Sequence, residues 1–75
     1  MSKPAKLIDV PAFLCRIRPG RDAPAEDWAV FYERSAVVYS QVAETDRASQ
    51  REALIIASLD REKSADYRKR TEAPQ

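Results

Sequence analysis

The spacing of apolar residues along this chain predicts helices. Apolar positions recur every three or four residues over most of its length, and no run alternates with the two-residue period of a β-strand. The longest pattern predicts a helix over about 24–44, with one face that is both apolar and aromatic. A short chain must bury such a face against other elements. The face comprises Trp28, Phe31, Tyr32, Ser35, Val38, Tyr39 and Val42.

The start of this helix is indicated by Ala23-Pro24-Ala25-Glu26. Proline suits the first helical position, because its missing N–H would be unpaired there in any case. The residue before a proline avoids the helical region, so Ala23 is the predicted N-cap. Glu26 then occupies the third helical position, from which it can reach back to the N-cap amide.

A shorter helix is predicted before it, over about 10–18. Asp9 is its candidate cap, Pro11 fits its first turn, and Pro19-Gly20 is expected to end it. Its apolar face comprises Val10, Phe13, Leu14 and Ile17.

A third apolar pattern follows, and its phase differs from that of the second. A continuous helix would bring Asp46 and Asp60 onto the apolar stripe, so a turn or kink is expected between Thr45 and Ser49. The sequence of 49–52 matches the capping box that starts many helices. The chain is therefore predicted to be all-α, with two or three helices forming a helical hairpin preceded by a short helix. One long kinked helix stays open as the alternative, because this region lacks glycine and proline. The third pattern comprises Ile55, Ile56, Leu59 and Tyr67, with Leu54 at its edge.

The chain has room for one domain, predicted over 10–70, between a mobile tail at 1–9 and a frayed tail at 71–75. No stretch approaches the roughly 20 apolar residues that a membrane span needs. The segment 7–11 is interrupted by an acid and a proline, so it does not resemble a signal peptide. With one cysteine and no such signal, the expected location is the cytoplasm.

Size and composition favour self-association. The chain has 75 residues, one cysteine and no histidine, which excludes an intrachain disulfide and argues against a zinc site. A core of this size rarely supplies more than about 3–5 kcal/mol of stability, and small folds often need a partner subunit. We therefore predict a small homo-oligomer, expected to be a homodimer.

No residue set converges as an enzyme site would, so no catalytic, cofactor-binding or metal-binding residue is predicted. The numerous carboxylates, Asp60 among them, are interpreted as lying on solvated faces. Cys15 lies near Arg16 and Arg18, but without a histidine it lacks the usual base. It is interpreted as a small, partly buried apolar residue.

The predicted function is that of a non-catalytic interaction module or adaptor, which binds itself and an unidentified protein partner. The aromatic stripe is expected to serve mainly as core, and in part as a subunit interface. The candidate interface residues are Trp28, Phe31, Tyr32, Tyr39, Ile55 and Leu59.

The alternative is a small DNA-binding regulator that uses the basic end of the last helix. The candidate nucleic-acid contacts are Arg61, Lys63, Arg68, Lys69 and Arg70. Cations are also favourable at a helix C-terminus for stability alone. The chain has 13 basic and 12 acidic residues, for a net charge of +1, so it lacks the strong basic field of a dedicated nucleic-acid binder.

A set of short motifs is spread over about 17–63. They are Arg18-Pro19-Gly20, Trp28, Phe31-Tyr32-Glu33-Arg34-Ser35-Ala36, Tyr39, Val42-Ala43, Asp46-Arg47, Glu52-Ala53-Leu54, Ala57 and Arg61-Glu62-Lys63. With these motifs, this part of the sequence resembles a group of short, uncharacterised actinobacterial helical proteins. The resemblance implies a bacterial cytosolic setting and a helical fold, and it supplies no function. The group often has histidines just after the Asp46-Arg47 pair, where this chain has Ala48-Ser49-Gln50-Arg51, so no role of those histidines transfers.

Overall fold

A computed structural model describes residues 3–72, and it confirms the all-α fold with a helical hairpin after a short helix. The three α-helices are α1 (Val10–Ile17), α2 (Ala25–Thr45) and α3 (Gln50–Glu72). Short 3-10 turns, Leu7–Asp9 and Arg47–Ser49, lead into α1 and α3. There is no strand in the described part of the chain.

The turn between α2 and α3 lies where the apolar pattern changes phase. Asp46 ends α2 with a non-helical backbone (φ −114°, ψ 81°), and its amide donates to the carbonyl of Val42 at 2.7 Å. The 3-10 turn then reverses the chain without glycine or proline. Because no described residue has a positive φ, the reversal does not need glycine. The hairpin was therefore predictable from periodicity, even though the usual turn residues are missing.

Both ends of the α1–α2 connection differ in detail from the prediction. Pro24 is the N-cap of α2, not its first residue, because its carbonyl already accepts the amides of Asp27 (3.0 Å) and Trp28 (3.4 Å). Ala23 is thus not the cap. At the end of α1, Arg18 is extended (φ −66°, ψ 132°), the conformation that a following proline imposes. Gly20 has no positive φ, so Pro19 rather than the glycine ends the helix.

Small side chains form most of the contact between α2 and α3. Small residues let two helix backbones approach closely, and α1 then covers one side of the pair with Val10 and Leu14. The core combines these two residues with Ala36, Val38, Tyr39, Val42, Ala43, Ala53 and Ala57, and Ala29 is buried as well.

Buried and partly buried polar side chains also join α2 to α3. The Ser35 hydroxyl donates to Asp60 Oδ2 at 2.5 Å, and the Ser64 hydroxyl donates to the carbonyl of Ala29 at 2.8 Å. The Gln50 amide donates to a carbonyl of α2 at 3.0 Å. Ser35, Asp60 and Ser64 are buried. The prediction of a solvated Asp60 was therefore wrong, because its position on α3 faces α2.

The N-terminal segment, which lies within the mobile tail predicted over 1–9, contacts the hairpin turn. The Leu7 amide donates to Asp46 Oδ2 at 3.0 Å, and the Thr45 hydroxyl donates to the carbonyl of Ala5 at 2.5 Å. The Leu7 amide, followed by hydrogen bonds from Ser49, lowers the pKa of the Asp46 carboxyl. At the other end, α3 continues through 71–72. The remainder of the two predicted tails, 1–2 and 73–75, lies outside the described residues.

Candidate protein interface

Three large aliphatic side chains lie together on the face of α3 that points away from α2. We call Leu54, Ile55 and Leu59 the outer patch; they are 48%, 55% and 49% exposed. Their orientation follows from helix geometry, since the buried positions Ala53 and Ala57 place the opposite side of α3 against α2. The outer patch is thus an apolar surface that nothing in the described chain covers.

The outer patch has a polar border. Ser58, which is exposed, lies within it, one turn after Leu54. Arg51 and Glu62 are exposed at its two ends. An apolar centre with a charged border is the usual arrangement of a protein–protein contact surface.

The aromatic residues at the start of α2 form a cluster with Tyr67 near the end of α3. We call Trp28, Phe31, Tyr32 and Tyr67 the aromatic cluster. Tyr67 stacks on Tyr32 and Trp28, with ring centroids 5.8 Å and 6.3 Å apart, and Phe31 meets Trp28 edge to face at 5.8 Å. All four are partly buried. The cluster joins the open end of the hairpin, so much of its surface is used within the chain.

Cationic side chains lie over the aromatic cluster. Arg18 is 5.4 Å from the ring centroid of Trp28, and Lys63 is 5.2 Å from that of Tyr32. Arg70 lies 4.7 Å from the ring centroid of Tyr67, which is on the same helix. These are cation–π distances, so each side chain covers a ring with its charged group.

The structure therefore divides the six predicted interface residues into three groups. Tyr39 is buried in the core, where burial, followed by the charges of Asp60 and Glu52, raises its pKa. It is not available to a partner. Trp28, Phe31 and Tyr32 belong to the aromatic cluster, and Ile55 and Leu59 lie in the outer patch. The prediction omitted Leu54, although its place beside Ile55 was a usable signal.

The predicted nucleic-acid contacts do not form one free basic surface. Arg61 donates to the hydroxyl of Ser40 at 2.9 Å, and Arg68 pairs with Glu33. Lys63 and Arg70 lie over aromatic rings, as described above. Four of the five predicted cations thus contact side chains of this chain, and Lys69 is exposed in the last turn of α3.

Cys15 is exposed, which corrects the prediction of a partly buried thiol. It lies on the outward side of α1, next to the buried Leu14. Over 3–72 there is no group of three or more histidine, cysteine or acidic side chains placed to hold a metal ion. None of the helices in that range combines the length and apolar character needed to cross a membrane.

Comparison with models of known protein families, with curated proteins and with solved structures found no match to this chain. The resemblance to actinobacterial helical proteins stays a prediction.

Proposed function

We propose that this protein is a non-catalytic interaction module that associates with other copies of itself, and through them with a further protein partner. The observation that carries the proposal is the outer patch. Its three aliphatic side chains are about half exposed and contiguous on one helix face, and contiguous apolar patches mark interaction sites.

The small size of the fold supports the same conclusion. Its core consists largely of alanine and valine, and its largest fully buried side chains are Val10 and Val42. Burial stabilises a fold by about 25 cal/mol per Å² of apolar surface, so small core residues contribute little each. Covering Leu54, Ile55 and Leu59 in a dimer would add apolar burial that the single chain lacks.

The rival proposal, a DNA-binding regulator, has weaker support. Arg61 and Arg68 hold α3 to α2, and Lys63 and Arg70 cover aromatic rings. The Glu33 carboxylate offsets the charge of Arg68, and the other three cations already contact side chains of this chain. We regard the first role of these four cations as structural.

The cytoplasmic setting remains an expectation from the sequence.

The proposal is tested by replacing the outer patch with polar residues, as Leu54→Gln, Ile55→Gln and Leu59→Gln together. We expect the wild-type chain to form dimers in sedimentation equilibrium at micromolar to millimolar concentration. The triple variant should remain monomeric there, because the apolar contact is lost. Its circular dichroism should keep the helical signal, since these side chains are half exposed.

The matched control is Val37→Gln, which changes a side chain on α2 that is 47% exposed and lies outside the outer patch. It should associate as the wild type does. A well-folded wild-type monomer at high micromolar concentration would overturn the proposal, and so would a triple variant that dimerises normally.

A further inference from the structure

The outer face of α3 has a symmetrical sequence pattern. Leu54 and Leu59 are equally far along the chain from a midpoint between them. Arg51 and Glu62 are also equally far from that midpoint, and they carry opposite charges. When a second copy of this helix runs in the opposite direction about that midpoint, each leucine lies level with a leucine. Each charged residue then lies level with a residue of opposite charge.

The two charged residues lie on the same side of α3. They are separated by 11 residues, which is close to three full helical turns and about 16 Å. Both are exposed, and neither Arg51 nor Glu62 forms an ion pair within the described chain. Each charge is therefore available to a second molecule.

We infer that two copies of the protein pack α3 against α3 in antiparallel orientation, about a two-fold axis at the centre of the outer patch. This inference rests on the proposed function and names its partner and geometry. The axis places Arg51 of each copy opposite Glu62 of the second copy, so the dimer has two identical ion pairs. The pairs lie at the ends of the contact, and the apolar residues lie between them.

The side chains between the ion pairs also fit this arrangement. Helical spacing sets Ile55 beside Leu59 of the second copy, and Leu54 over Ser58 of the second copy. The small serine leaves room for the leucine, and the isoleucine packs against a second aliphatic side chain. The overlapping part of the two helices, residues 50–63, is about 20 Å long. A contact of this length is below the standard interface size, so the dimer should be weak and reversible.

A parallel arrangement fits the charges poorly. It would set Arg51 against Arg51 of the second copy, and Glu62 against Glu62, so both ends would repel. Like charges placed opposite each other suppress the wrong orientation. The charge pattern therefore selects the antiparallel dimer.

The test is a charge exchange measured by sedimentation equilibrium at low salt. Arg51→Glu and Glu62→Arg alone should each weaken the dimer about tenfold or more, because both ion pairs become repulsive. The double variant R51E/E62R should recover most of the affinity, since the pairs re-form with exchanged partners. An equimolar mixture of the two single variants should also recover it as a heterodimer. Arg34→Glu on α2 is the control for net charge and should have no effect.

The outcomes separate this inference from the proposed function. Recovery in the double variant, with a wild-type circular dichroism spectrum throughout, supports the antiparallel arrangement. A wild-type dimer whose affinity is unchanged by either single variant overturns the arrangement and leaves the proposed function standing. A folded wild-type chain that stays monomeric overturns both.

Discussion

At the scale of single residues, the hydrogen bond between Ser35 and Asp60 shows how a polar pair can be placed inside an apolar contact. A buried carboxylate is costly unless donors satisfy it. The hydroxyl of Ser35 donates to it from the facing helix, so the pair joins α2 to α3. Periodicity alone could not find this pair, because a pattern of apolar residues counts every aspartate as a surface position.

Replacing Ser35 with alanine should destabilise the protein. The Asp60 carboxylate then loses a donor inside the interface, at a cost of about 1–3 kcal/mol in the free energy of unfolding. The measurement is urea unfolding followed by circular dichroism.

Ser40→Ala is the matched control, because that hydroxyl accepts from Arg61 in an exposed hydrogen bond. It should cost less than the change at Ser35. Equal losses in the two variants would show that the buried hydrogen bond contributes nothing beyond a surface one.

At the scale of elements, the structure confirms what helical periodicity predicted and corrects what it could not resolve. The three helices and the hairpin follow from spacing, which depends only on which residues are apolar. Helix ends were predicted less well, since Pro24 can serve either as a cap or as a first residue. The contacts of Ala5 and Leu7 were missed because their partners, Thr45 and Asp46, are distant in sequence.

Helical spacing also predicted only part of the candidate interface. Ile55 and Ile56 are adjacent, and the sequence could not tell which of them faces the core. The structure places Ile56 against the core and Ile55 in the outer patch. Likewise, the aromatic stripe was correctly read as apolar, but its stacking on Tyr67 depends on how α3 returns along α2.

The close contact of α2 and α3 predicts that a larger side chain within it will destabilise the protein. Ala57 is fully buried, whereas Ala65, two turns later on the same helix, is exposed. Ala57→Leu should cost about 1–3 kcal/mol in stability, because the added methyl groups overpack the interface. Ala65→Leu adds the same groups at the surface and should change stability by about 0.5 kcal/mol or less.

Thermal and urea unfolding of both variants provide the measurement. Should Ala57→Leu be as stable as Ala65→Leu, the helices would have room to separate, and small side chains would not be what sets their distance.

At the scale of the whole molecule, the protein is an elongated and thin body. Its Cα atoms span 45 × 23 × 14 Å, and its radius of gyration is 13.2 Å, against about 11 Å for a compact domain of this length. Such a shape exposes both faces of a helix pair, so a surface on α3 remains open even though α1 covers part of the hairpin. The outer patch follows from this shape as much as from the sequence.

The balanced charge of the whole chain leads to a test of the rival function. Changing Arg68, Lys69 and Arg70 to glutamine should leave self-association within about twofold of wild type and lower stability by about 1 kcal/mol or less. Neither the wild type nor this variant should bind a DNA duplex near physiological salt, because the net charge of the wild type is only +1.

Fluorescence anisotropy of a labelled duplex, read at several salt concentrations, measures DNA binding and its salt dependence. Arg21, Arg34 and Arg47 changed to glutamine form the control, with the same loss of charge elsewhere. Duplex binding by the wild type that disappears only in the Arg68, Lys69 and Arg70 variant would favour the regulator.

The hydrogen bonds that hold the N-terminal segment lead us to expect an order of folding. They connect residues 39 and 40 positions apart, whereas α2 and α3 meet across a turn of a few residues. Ala5 and Leu7 can make these two hydrogen bonds only once Thr45 and Asp46 are in place, and contacts between distant residues close more slowly than local ones. We therefore expect this segment, although it is synthesised before the hairpin, to reach its native position only after the hairpin turn has formed.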